Sequence, residues 1–182
     1  MNRILGGDFT SRINMNLRED KHWSYGSRMV LPDARGQRPY FVLAPVQTDK
    51  TKESVQEIQK ELNGILGAIP VTADELDKAK STLTLTLPGQ WETMNAVGGS
   101  IYQMVTFGLD DNYFNTFPDR VRAMTLDDVN KAAQALVHPG SITWVIVGDR
   151  AKIEEGIRSL NLGTVLALDA DGNPVAERAG AQ

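Results

Sequence analysis

An α+β fold, an antiparallel-rich sheet with helices packed on one face, is predicted by three stretches of the sequence. Residues 27–46 hold two strand-like runs on either side of the turn Pro32-Asp33-Ala34-Arg35-Gly36, which reads as a hairpin. Residues 49–136 hold apolar side chains at helical spacing, interrupted by Pro and Gly. Ile142 to Val147 and Val165 to Leu168 then return to strand-like runs. The 182 residues suffice for one domain with a real core, set here at 1–170, with 171–182 as a flexible tail. A net charge of −4 without any basic run argues against a nucleic-acid partner. No apolar run approaches a membrane span, and the absence of cysteine excludes disulfides and thiolate metal sites.

Each element has a local cause. The Gly6-Gly7 pair breaks the chain, and Thr10 or Ser11 then offers an oxygen to cap a helix. Phe9, Ile13 and Leu17 recur every four residues and define its apolar face. Strands follow over Ser27–Leu31 and Arg38–Val46. Residues 49–67 form a helix with Val55, Ile58, Leu62, Ile65, Leu66 and Ile69 on one side, ended by Pro70. Thr72 and Glu75 make a capping box for the next helix. Its far end is ambiguous: Leu76, Ala79 and Leu83 have helical spacing, whereas Leu83, Leu85 and Leu87 alternate with Thr; helix is preferred, broken at Pro88-Gly89.

A helix over about 90–107 is expected to turn Met94, Val97, Gly98, Ile101, Met104 and Val105 inward, with Gly98 and Gly99 permitting close packing. Tyr113, Phe114, Phe117 and Val121 stripe a short helix, and Thr125 to Asp128 cap another that runs to Leu136 with Val129, Ala132 and Ala133 inside. Gly148-Asp149 starts a last helix carrying Ile153, Ile157 and Leu160, and Asp171-Gly172-Asn173-Pro174 opens the tail.

One pair of side chains draws attention. Arg18 sits at the end of the first helix, and Tyr25 follows seven residues on, where the chain becomes a strand. A cation leaving a helix and a phenol opening a strand can face one spot. Standing alone, the pair would read as a solvated Arg and a half-buried Tyr.

It does not stand alone. Leu5-Gly6-Gly7, then Ser11-Arg12-Ile13, Leu17-Arg18-Glu19 and Ser24-Tyr25-Gly26 together resemble the C-terminal, non-zinc-binding half of the insulinase and pitrilysin-type zinc peptidases. These are the inverzincins, which include the mitochondrial processing peptidase. Asp74 to Lys80, Phe107-Gly108-Leu109, Met124 to Val129, Ala132-Ala133, His138-Pro139 and Val147-Gly148-Asp149 fall in the family's order and approximate spacing. Each match is weak alone, but so many in order are hard to obtain by chance.

The resemblance implies a processing-peptidase-like α/β roll, lacking here its first strand and helix, because such domains usually place both before the Gly pair. It implies that Arg18 and Tyr25 match the family's Arg/Tyr pair, which completes an active site whose zinc lies in another domain or subunit. No cofactor is then expected in this chain, and zinc is expected in the partner, either earlier in the same polypeptide or as the other subunit of a heterodimer. Peptides are the implied substrates, and a periplasmic or exported location is expected by analogy with bacterial relatives. The alternative is a structural assembly subunit of the same fold, as the core proteins of respiratory complexes resemble.

The chemistry for independent hydrolysis is missing. The family's catalytic helix carries His-x-x-Glu-His, two imidazoles for zinc and a Glu to activate water. This chain has His22 and His138 alone, neither with a second ligand at the required spacing. His22 stands where relatives usually place Gly, and as a polar residue it tolerates the left-handed conformation of a helix C-cap. His138 reads as a helix-terminus residue, and Trp23 as a packing residue. The acidic pairs Asp110-Asp111 and Asp127-Asp128 lie in capping contexts, and Ser24-Tyr25-Gly26 lacks the pattern of a nucleophile elbow.

Overall fold

The computed structural model describes residues 1–175. The chain opens on a π-helical turn, Arg3–Gly7, that ends in extended backbone at Asp8. A second helical segment begins at α1 (Arg12–Asn14) and continues directly into a wider π-helical turn, Met15–Asp20. Ser11 is its N-cap, but the Ser11 hydroxyl makes no capping bond and lies buried without a partner. His22 ends the segment at φ 58°, the left-handed geometry expected of a C-cap.

Strands β1 (Arg28–Val30) and β2 (Phe41–Leu43) pair antiparallel with Arg28 opposite Leu43, Met29 opposite Val42 and Val30 opposite Phe41. Met29 points into the core while Arg28 and Phe41 stand exposed, as the two-residue period of a strand requires. Gly6 is what lets the first turn lie on this hairpin. A Cβ there would sit 2.4 Å from the Cβ of Met29, closer than two carbons can approach.

Helices follow in the expected order: α2 (Thr51–Gly64), α3 (Ala73–Leu85), α4 (Met94–Phe107), α5 (Tyr113–Ala123), α6 (Leu126–Leu136) and α7 (Arg150–Arg158). Capping boxes close around Thr72 with Glu75 and around Thr125 with Asp128. Gly108 ends α4 at φ 61°. The Leu-Thr alternation is resolved as helix up to Leu85, and among the described residues no strand offers it a ladder. Ile4, Leu5, Ile13, Leu17 and Met29 share one core with Ile58, Leu62 and Ile65 of α2, Leu76 of α3, and Val129 and Ala133 of α6. Arg12 pins the helices together. Its guanidinium donates two hydrogen bonds to Glu75, at 2.6 and 2.7 Å, and others to the carbonyls of Ile69 and Pro70. The bonds from Arg12 hold the Glu75 carboxyl below its usual range, against the opposing effect of burial.

Four expectations need correction. Among the described residues Ile142–Val147 is extended, with Ile142 and Trp144 packed on the core, but it pairs with no strand. Val165 to Leu168 likewise contributes a single bridge, Leu168 to Pro174, so the described sheet has two strands. A strand needs a partner's backbone, which composition cannot supply. Helix α4 buries none of the residues expected to face inward: Ile101 is 57% exposed and Met94 and Val105 more so, while Gly98 and Gly99 face open space. Phe9 leaves the apolar face of α1 and is exposed. Of the tail, Asp169 to Asn173 form a tight turn on the Asp169 carboxylate, and residues 176–182 lie outside the described part.

Candidate functional site

The site grows out of the wide turn at Met15–Asp20. An i→i+5 turn shifts the outward side chains relative to a regular helix, and such turns recur at functional sites. Leu17 is fully buried beneath it, and its carbonyl accepts bonds from the amides of Trp23 and Ser24, which folds the chain back. Arg18, the next residue, is thereby aimed at the corner where the helix becomes a strand. The His22 ring nitrogen Nδ1 lies 3.1 Å from the Arg18 carbonyl oxygen and closes that corner.

The corner is fixed by polar bonds to the segment after β2 and to α1. Ser24 donates to the Pro45 carbonyl at 2.6 Å and accepts from the Gly26 amide at 3.1 Å. Gln47 bonds the carbonyls of Trp23 and His22. Asn14, 3% exposed, is the hub: its Nδ2 donates to the Phe9 carbonyl at 2.6 Å and its Oδ1 accepts from the Ser27 amide at 2.8 Å. One buried amide therefore holds the Phe9 loop and the Tyr25 segment against the helix that carries Arg18.

The Arg18 guanidinium carbon lies 4.5 Å from the centre of the Phe9 ring and 5.1 Å from that of Tyr25. Each contact supplies roughly 0.5–1 kcal/mol of cation–π attraction at such an exposed position. Glu19 forms an ion pair with the Arg18 guanidinium, Nε to Oε1 at 3.0 Å. Tyr25 is 90% exposed and Phe9 59%, so the pair opens to solvent. Beside Arg18 lies a cleft of about 350 Å³, with Phe9, Leu43 and Pro45 in its apolar lining and Asp8 and Arg28 as its other charged lining. Asp8 is already paired with Arg3 at 2.6 Å.

The structure thus brings Arg18 and Tyr25 into contact. His22 serves the corner and His138 lies exposed ahead of the turn Pro139–Ser141, remote from it in the chain. Among the described residues no group of three or more His, Asp or Glu could hold a metal ion, so the residues present do not fit zinc. Trp23 packs against the core. The sequence placed Phe9 on the apolar face of a helix and singled out neither Asn14 nor Arg28. A buried Asn between Ile13 and Leu17 was the one legible signal among them.

Comparison with known proteins bears on the fold and on the stretch that carries this corner. The family model described as the peptidase M16 inactive domain matches residues 1–83, the stretch that contains the whole site. Over those residues the chain is similar to the inactive domain of the M16 peptidases, and its fold is that of the solved M16 inactive domain. Among its relatives, the Helicobacter pylori protein named non-peptidase homolog YmxG is 24% identical over 151 residues, 82% of this chain and 34% of that one. The crystal structure of a peptidase M16 inactive domain from Pseudomonas fluorescens superposes with a TM-score of 0.66 at 23% identity, covering 76% of this chain and 33% of that chain. A protease from Helicobacter pylori gives a TM-score of 0.64 at 17% identity, over 74% of this chain and 32% of its own. The chain thus spans about a third of the length of these relatives. Among the described residues no helix is long and apolar enough to cross a membrane.

Proposed function

We propose that this chain is the non-catalytic half of a zinc metalloendopeptidase, lending Arg18 and Tyr25 to a site whose zinc is held by a partner domain or subunit. The reading is carried by one observation: the Arg18 guanidinium lies against the rings of both Phe9 and Tyr25, at 4.5 and 5.1 Å, and lines an open cleft. A substrate carbonyl oxygen seated there accepts hydrogen bonds from the guanidinium N–H groups and the phenol O–H. As the carbonyl carbon is attacked, negative charge gathers on that oxygen, and donors already in place need no reorganisation to stabilise it. The attacking water is then activated on the partner, because the described residues of this chain offer no ligand set for the metal.

A second reading is a structural subunit of the same fold, favoured by the Helicobacter pylori relative whose name declares it no peptidase. A scaffold has no need of an exposed Arg–Tyr contact, and this weighs for the catalytic role. The test is reconstitution with the zinc-bearing partner. Removing one such donor typically lowers turnover by about 10²–10³. Arg18→Ala and Tyr25→Phe should each show that loss with unchanged far-UV dichroism and Tm. Full activity in both variants would refute the catalytic role and leave the scaffold.

A further inference from the structure

The reading of Arg18 and Tyr25 leaves a second guanidinium in the same cleft unexplained. Arg28 opens β1 and lies directly across from Leu43 of β2, both on the exposed face of the hairpin. It lines the cleft beside Arg18. Unlike the other charged side chains there, the Arg28 guanidinium makes no hydrogen bond or ion pair with any described residue. Arg3 holds Asp8 at 2.6 Å and Arg18 holds Glu19 at 3.0 Å. The cleft therefore keeps a surplus of positive charge in a chain whose net charge is −4, and its lining otherwise includes the apolar Phe9, Leu43 and Pro45. An unpaired guanidinium with its stem along an apolar neighbour is pre-shaped to take a carboxylate bidentately.

We propose that Arg28 binds a carboxylate of the peptide whose carbonyl is held by Arg18 and Tyr25, so that the favoured substrates are acid-bearing peptides with an apolar residue beside the acid. This rests on the carbonyl-binding role of Arg18 and names the substrate class for it. Arg28 is a specificity residue, since it touches the substrate away from the reacting atoms. The carboxylate can come from an Asp or Glu side chain or from a peptide's own C-terminus, and both present the same two oxygens.

The test uses the full chain and three peptides: acetyl-Ala-Leu-Ala-Glu-Ala-amide, its Gln isostere, and the Gln peptide ending in a free carboxylate. Binding is read from NMR shift perturbation. At low salt the Glu or the free-acid peptide should bind about five-fold tighter than the neutral one, as a partly exposed charge-assisted contact allows. The difference should shrink as salt shortens the screening length. Whichever acidic peptide gains identifies the source of the carboxylate. Arg28→Gln, at an exposed position, should erase the gain and leave the neutral peptide's affinity unchanged, whereas Arg18→Gln should weaken all three together.

Equal binding of all three peptides, a gain that survives Arg28→Gln, or no binding by any of them overturns the proposal. A neutral peptide indifferent to Arg18→Gln instead sinks the carbonyl-binding reading, while an Arg28-dependent gain would still mark the carboxylate site.

Discussion

Removing the Asn14 amide tests the whole construction of the site. Of its two hydrogen bonds, that from the Ser27 amide at 2.8 Å is buried and that to the Phe9 carbonyl at 2.6 Å is partly so; Asn14 is 3% exposed and Ser27 5%. Asn14→Ala deletes both, at about 1 kcal/mol each, and strands the buried Ser27 N–H for roughly 1–2 kcal/mol more. The expected loss is about 3–4 kcal/mol, which for a domain of this size lowers Tm by roughly 6–16 °C. Urea titration followed by tryptophan fluorescence measures it directly. Asn14→Asp separates the two bonds: it keeps the acceptor for Ser27 but sets a carboxylate against the Phe9 carbonyl. Burial and that carbonyl raise its folded-state pKa, so the Asp variant should regain stability as pH falls and the protonated carboxyl donates in place of the amide. A loss under about 1 kcal/mol in the Ala variant would refute the reasoning. It would mean that Ser24, Gln47 and the strand pairing hold the corner unaided.

Other outcomes follow from single features. Gly6→Ala must push β1 away from the first turn because its Cβ would fall 2.4 Å from that of Met29. The expected loss is about 1–3 kcal/mol by denaturant unfolding, and a neutral result would show the hairpin free to shift. The Glu75 carboxyl is held low by Arg12, so its contribution is complete above the unfolded-state value of about 4.3 and fades as pH falls through the folded one. Stability of the parent should therefore exceed that of Glu75→Gln at neutral pH and converge with it in acid; a constant gap across pH would exclude the ion pair as the cause. Ile101→Glu, on the exposed face of α4, should change the stability of the isolated chain by less than about 0.5 kcal/mol. A large loss would mean that this face is packed after all.

What the residues alone decided here is local. Thr72 with Glu75 and Thr125 with Asp128 announce helix starts, and Gly108 and His22 take the left-handed positions where helices stop. A helix bonds within its own four residues, so its register is written along the chain. The identities of Arg18 and Tyr25 and their place at a helix-to-strand corner were legible for the same reason. Tertiary structure decided the rest. Ile142–Val147 has the composition of a strand, yet no described segment offers it a ladder, and Val147 stands 94% exposed. Phe9 kept helical phase with Ile13 and Leu17 but lies ahead of the helix, where it stacks on Arg18 instead of the core. Arg28 became visible only through the register that sets it against Leu43. Pairing across strands and contact across a corner join residues that the chain keeps apart, and spacing along one sequence does not encode them.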